Sequence, residues 1–149
     1  MEINIEDVYL RVLPSEISNI RVEERGAITI FKLDWRDATL RVKRVRLPGR
    51  VDRIEKSGDR IDCSLTLEND TVIIRLWGEA SHVLNDLKVG SLVEVFGTLR
   101  FYRGTVYVYP IFARKIDAEH LDNYDEFIGR DRTLILRLKG GKNVEEGEG

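Results

Sequence analysis

The sequence predicts an all-β protein: a closed five-stranded barrel with one helix between its third and fourth strands, followed by a C-terminal helix. Three observations predict it. Two candidate hairpins each place their apolar residues on one face. A long strand ahead of them shifts its apolar phase at a glycine, and the segment between the hairpins has helical spacing.

In the first strand Val45, Leu47, Gly49 and Val51 alternate, and the phase then slips by one to reach Ile54. A glycine followed by such a slip predicts a bulge or sharp bend, and Pro48 removes a ladder donor beside it. A strand bent there can serve two sheets. Over residues 61–67, Ile61, Cys63, Leu65 and Leu67 alternate with Asp62, Ser64 and Thr66, the period of a half-buried strand. With Asn69-Asp70 as the turn, Leu67 faces Val72, Leu65 faces Ile74 and Cys63 faces Leu76. Ile73, Arg75 and Trp77 then share the opposite, outward face. In the second hairpin Val93, Val95, Gly97, Leu99 and Phe101 alternate with Glu94, Phe96, Thr98, Arg100 and Tyr102. A turn at Arg103-Gly104 sets Phe101 opposite Val106 and Leu99 opposite Val108. Between the hairpins, residues 79–89 carry Val83, Leu84 and Leu87 at helical spacing, ended by Gly90.

The order strand, strand, strand, helix, strand, strand is that of the oligonucleotide-binding (OB) barrel. That fold binds on its strand 2–3 face, between the 1–2 and 4–5 loops. The barrel is expected over residues 41–116. Residues 1–40 form an N-terminal extension, where 27–33 and 40–47 read as strands joined through Trp35-Arg36-Asp37 and extending the barrel. Residues 117–139 are expected to be a helical assembly segment, with Leu121, Tyr124, Phe127 and Ile128 on one stripe and Gly129 ending or kinking the helix. Residues 140–149 read as a disordered tail.

A net charge of −2 conceals an asymmetry. Residues 1–40 hold five Lys/Arg against eight Asp/Glu, residues 41–115 fourteen against nine, and residues 116–149 five against nine. A basic middle between acidic ends fits a polyanionic partner better than the total does. No apolar run reaches the eighteen residues of a membrane span, and acids occupy the N-terminus where a signal peptide needs bases. The expected location is cytoplasmic and nucleoid-associated. The single cysteine, Cys63, supports neither a disulfide nor a Cys-rich zinc site.

Single strands are held by rings that stack on bases and cations that follow phosphates. Trp77 is the leading ring, because the register turns it outward beside Arg75; Tyr102 is second, at the tip of the 4–5 hairpin. Phe101 is the remaining aromatic there, although its phase points it inward. Candidate phosphate contacts are Arg50, Arg53, Lys56 and Arg60 around the 1–2 loop, with Arg75, Arg100 and Arg103. Catalysis finds little support: His82 and His120 lack ligand-spaced partners, and there is no phosphate-cradling glycine loop or nucleophile elbow. A binding protein without cofactor or metal is expected.

These residues resemble a known family. Residues 45–116, with R-V-L-P-S-E-I at 11–17 and Arg44-Val45-Arg46, are similar to the barrels of replication protein A. The likeness is to its middle and small subunits, archaeal forms included, and to related Stn1-type barrels. The resemblance implies that Trp77, ending Ile74-Arg75-Leu76-Trp77, stacks on a base. It also implies that a ring following Gly97-Thr98-Leu99-Arg100 does the same, Phe101 or, by its facing, Tyr102. It further implies a post-barrel helix that meets other subunits, which suits Leu121, Tyr124, Phe127 and Ile128. The turn Glu68-Asn69-Asp70-Thr71-Val72 departs from the family's D-x-T-G spacing, and neither a winged helix nor a zinc ribbon is present. The leading expectation is a single-stranded DNA-binding subunit of a replication protein A-like complex. An RNA- or anticodon-binding barrel, and an assembly subunit that binds protein, are the alternatives.

Overall fold

The computed structural model describes residues 1–85 and 87–140. The chain opens with β1 (Glu2–Asn4), β2 (Tyr9–Arg11), a short helix α1 (Pro14–Ser18), β3 (Arg21–Arg25), β4 (Ile28–Trp35) and β5 (Ala38–Val42). β6 (Arg44–Ser57), β7 (Arg60–Leu67) and β8 (Asp70–Trp77) follow, then a 3₁₀ helix at Gly78–Leu84, β9 (Leu92–Tyr102) and β10 (Thr105–Lys115). α2 (Ala118–Asp122) and α3 (Tyr124–Ile135) come last, α3 running into a π-helical turn at Leu136–Gly140. Among the described residues no helix is long and apolar enough to cross a membrane.

Strands β6, β7, β8, β10 and β9 pair in that order, and β9 returns to β6 to close the barrel. The first half of β6, Arg44 to Arg50, pairs with β9. From Arg50 to Ser57 it pairs with β7, with a register slip between Val51 and Arg53 where the sequence placed the bulge. A Cβ on Gly49 would lie 2.7 Å from Leu65 Cγ, so the bend requires a residue without one. Val45, Leu47, Val51, Cys63, Leu65, Ile74, Leu76, Val93, Val95, Leu99 and Val108 are buried inside. Each such side chain contributes about 1.5–3 kcal/mol when fully removed from water.

The β9–β10 hairpin has the expected register, Phe101 opposite Val106 and Leu99 opposite Val108. Both turn residues, Arg103 and Gly104, take positive φ, as a tight two-residue hairpin requires. The β7–β8 hairpin differs: Glu68-Asn69 makes the turn, so Leu65 faces Val72 and Cys63 faces Ile74. The expected register is thus displaced by two residues. Because side chains alternate with a period of two, every face assignment survives. The helix between the hairpins is a 3₁₀ helix ending at Leu84 rather than an α-helix over 79–89.

Of the N-terminal segments expected as strands, 27–33 and the 40–42 part of 40–47 do not extend the barrel. β1, β5, β4 and β3 form a separate four-stranded sheet, while β2 alone joins β6, in parallel. The expected strand over 40–47 breaks at Lys43, and its phase explains the break. Leu40 and Val42 are buried in β5, whereas Val45 and Leu47 are buried in β6, one residue out of step. A single straight strand cannot bury both sets on one face.

α3 passes through Gly129 to Ile135, so the glycine does not end it; the break falls earlier, at Asn123. Gly129 costs the helix about 0.5–1 kcal/mol, which burial of Tyr124, Ile128 and Arg132 along one side offsets. The residues 133–136 continue the helix into its π-helical turn. The tail expectation for residues 140–149 lies, from 141 onward, outside the described residues.

Tyr124 and Ile128 close onto their own chain, and Leu121 and Phe127 are half-buried. This corrects the expectation of a free subunit stripe at Tyr124 and Ile128. The anchor is Glu94, which alternates with the inward residues of β9 and is nonetheless 0% exposed. Arg46 donates to it at 2.9 and 3.0 Å and Arg114 at 2.9 Å. The Tyr124 hydroxyl lies 2.9 Å from Glu94 Oε2 and 3.0 Å from the Arg46 carbonyl oxygen, sharing its proton between them. Burial pushes the Glu94 carboxyl up, but Arg46, Tyr124 and Arg114 more than reverse this and leave it below the usual value of 4.5. Burial and the Glu94 charge raise the Tyr124 hydroxyl. Lower on the helix, buried Arg132 donates to Glu16 at 2.7 and 2.8 Å and to the Arg11 carbonyl at 2.8 Å, and Arg11 pairs with Asp131.

Two outcomes follow from this packing. Since Glu94 has a lower pKa folded than unfolded, its contribution is complete above the ordinary value of 4.5 and is lost as pH falls through the lowered one. Glu94→Gln strands buried guanidinium charge, so urea melts at neutral pH are expected to show a loss of about 3–5 kcal/mol and a flatter stability profile below the carboxylate range. Gly97 lies so close to β10 that a Cβ would sit 2.3 Å from the Tyr109 carbonyl oxygen. Gly97→Ala is therefore expected to lower stability by about 1–3 kcal/mol in the same assay.

Candidate nucleic-acid interface

Trp77 ends β8, paired with Arg60 across the β7–β8 ladder, and stands 41% exposed. The inward neighbours Ile74 and Leu76 are fully buried, so strand alternation forces Arg75 and Trp77 outward. The Gly78 amide donates to the Asp59 carbonyl at 2.9 Å, tying the end of β8 to the turn between β6 and β7.

A second ring reaches the same place from β10. Tyr107 packs edge-on against Trp77, centroids 6.5 Å apart at 65°. The Arg75 guanidinium lies 5.1 Å from the Tyr107 ring and donates to both oxygens of Asp62, at 2.8 and 3.1 Å. That hydrogen bonding raises the Arg75 pKa further, so the guanidinium stays charged. Across from Trp77, Tyr102 stands 54% exposed at the hairpin tip, with the Arg103 guanidinium 5.2 Å from its ring. Ser57, Asp59, Arg60, Arg75, Trp77, Tyr102 and Tyr107 line an open cleft of about 560 Å³. Its walls are the β6–β7 turn and the β9–β10 hairpin, and its floor is β8 with β10.

The structure therefore brings together Trp77, Tyr102, Arg60 and Arg75, with Arg103 at the rim. Phe101 packs half-buried against the core and does not line this cleft. Arg100 lies further along the same hairpin, its guanidinium 4.3 Å from the Tyr109 ring. Arg53 pairs with Glu55 at 3.0 Å, and Lys56 lines a different depression with Asn85 and Leu87. Arg50 donates to the Gly90 carbonyl at 2.6 Å, beside the 3₁₀ segment. Arg75 is committed to Asp62 and Arg60 lies 3.5 Å from the same carboxylate, which leaves Arg103 the freer cation here. Tyr107, packed against Trp77, is the ring of this cleft that sequence reasoning missed. Its outward phase was legible; the adjacency of β8 and β10 that brings it to Trp77 was not.

The cleft between the β6–β7 turn and the β9–β10 hairpin and the five-strand order define an oligonucleotide-binding (OB) barrel. A replication protein A heterotrimer bound to single-stranded DNA superposes with a TM-score of 0.68 at 17% identity, over 86% of this chain and 98% of that one. The Stn1–Ten1 complex of S. pombe gives 0.68 at 11% identity, over 91% and 98%. Yeast replication protein A bound to single-stranded DNA gives 0.61 at 18%, over 84% and 90%. At such identities the likeness is one of fold. No protein-family model matches the chain. The chain belongs to the family of the uncharacterized 18.7 kDa protein in the ribosomal RNA operon of Thermofilum pendens. The two are 33% identical over 147 residues, spanning 94% of this chain and 85% of that protein.

Proposed function

We propose that this chain binds single-stranded DNA in the cleft between the β6–β7 turn and the β9–β10 hairpin, as a subunit of a replication protein A-like assembly. The observation that carries the reading is the pair of exposed rings, Trp77 and Tyr102, lining one cleft with Arg60, and with Arg103 against Tyr102. Exposed indole is costly unless something covers it, and an unpaired base supplies a matching flat, apolar face. Each stacked base contributes about 1–3 kcal/mol. The structural likeness to replication protein A bound to single-stranded DNA supports the same reading.

RNA is the second reading, favoured by the Thermofilum pendens relative's place in a ribosomal RNA operon. The stacking chemistry is common to both; the 2′-hydroxyl distinguishes them. Assembly is supported by the heterotrimer and the Stn1–Ten1 complex among the structural neighbours. With Tyr124 and Ile128 closed onto the barrel, the surface left for a partner's helix is Phe127, Leu134 and Leu138. Spacings of seven and four residues keep these on one side of α3 and its final turn.

The test is fluorescence anisotropy with labelled oligo-dT, the matching RNA and a duplex at two salt concentrations. Single strands are expected to bind over duplex, DNA at least as tightly as RNA, with weakening in salt. Trp77→Ala is expected to cost about 10-fold or more, one stacked base. Binding unchanged by Trp77→Ala and Tyr102→Ala would refute the cleft; preference for RNA would select the second reading.

A further inference from the structure

We infer that the bound strand leaves the cleft into a second groove, between the N-terminal sheet and the β9–β10 hairpin, so that the N-terminal sheet forms part of the binding track. This rests on the single-strand reading above and extends it. The groove has a volume of about 440 Å³ and shares Tyr102 and Tyr107 with the cleft, so one path runs through both. Its far wall comes from β4, where Ile28 is 59% exposed beside the Gly26-Ala27 turn. The Leu99 amide donates to the Lys43 carbonyl at 2.8 Å, which fixes the link between β5 and β6 against β9.

Charge decides the occupant. Lys43 and Arg100 line the groove, no acid does, and neither cation forms an ion pair among the described residues. In the cleft itself Arg75 is spent on Asp62, Arg60 lies 3.5 Å from the same carboxylate, and Asp59 lines the wall. The cations of the cleft thus share a carboxylate, while those of the groove face no acid within it. A polyanion that stacks in the first and continues through the second satisfies both. Exposed Ile28 gives the groove an apolar edge against which a ribose or base can rest.

The experiment is a titration of oligo-dT from about 4 to about 16 nucleotides, the range that a single OB barrel spans. It compares the intact chain, Lys43→Glu/Arg100→Glu and Trp77→Ala, with circular dichroism to verify folding. Both groove residues are exposed, so the double variant is expected to fold. Its affinity for the shortest oligonucleotides should match that of the intact chain, while the gain with length is lost. For long oligonucleotides the slope of log K against log salt should shrink by about 1.4, the single-strand value for two phosphates. Equal length dependence and salt slope in the intact chain and the double variant would overturn the groove and leave the cleft standing. Equal weakening at every length would also overturn it, since the charges would then act at a distance. Failure of the intact chain to bind any single strand would overturn both readings.

Discussion

Closure of the barrel rests on β6, whose backbone groups serve β9 in its first half and β7 in its second. One strand can turn between two neighbours only if it bends sharply where it changes partner. Pro48 lacks a backbone N–H, Gly49 lacks a Cβ, and the bulge between Val51 and Arg53 absorbs the extra residue. Everything downstream inherits that geometry. β7 takes its register from the second half of β6, β8 takes its own from β7, and that chain of pairings turns Trp77 outward over Arg75 and Tyr107.

Charge is used in two ways. At the back of the barrel, Glu94 is fully buried yet ionised, because guanidinium groups from two strands and a tyrosine from α3 converge on it. Its cost of desolvation is offset only while all partners are present, which ties the C-terminal helix to β6, β9 and β10. At the front, Asp62 immobilises Arg75 so that the guanidinium serves as a platform beneath Tyr107. A cation held this way orders the surface more than it attracts phosphate. Lys43 and Arg100, neither in an ion pair among the described residues, stand where the N-terminal sheet meets the β9–β10 hairpin.

The N-terminal sheet thus has a physical reason to be present beyond its own core. It covers one flank of the barrel, where β4 meets β9, and gives the β9–β10 hairpin a facing wall. A bare barrel would leave Phe101 and the inner side of that hairpin open to water. Here they line one side of a groove that shares Tyr102 and Tyr107 with the aromatic cleft.

The barrel itself was legible in the sequence, because period-two alternation in β6 to β10 fixes which side chains face inward, whatever the turn. That is why a two-residue error in the β7–β8 register left Trp77 outward, and why the exposure of Trp77 and Tyr102 was legible. A break between Leu40/Val42 and Val45/Leu47 was also legible in their opposite phases, but the separate N-terminal sheet was not. Tertiary structure alone decided the rest. Glu94 sits at an alternating polar position, indistinguishable from a surface acid until α3 folds over it. Tyr107 reaches Trp77 only through the parallel pairing of β8 with β10, between strands distant in sequence. Which arginines are free depends on which carboxylate lies within reach. Periodicity is a local property of the chain; partnership across the barrel is not.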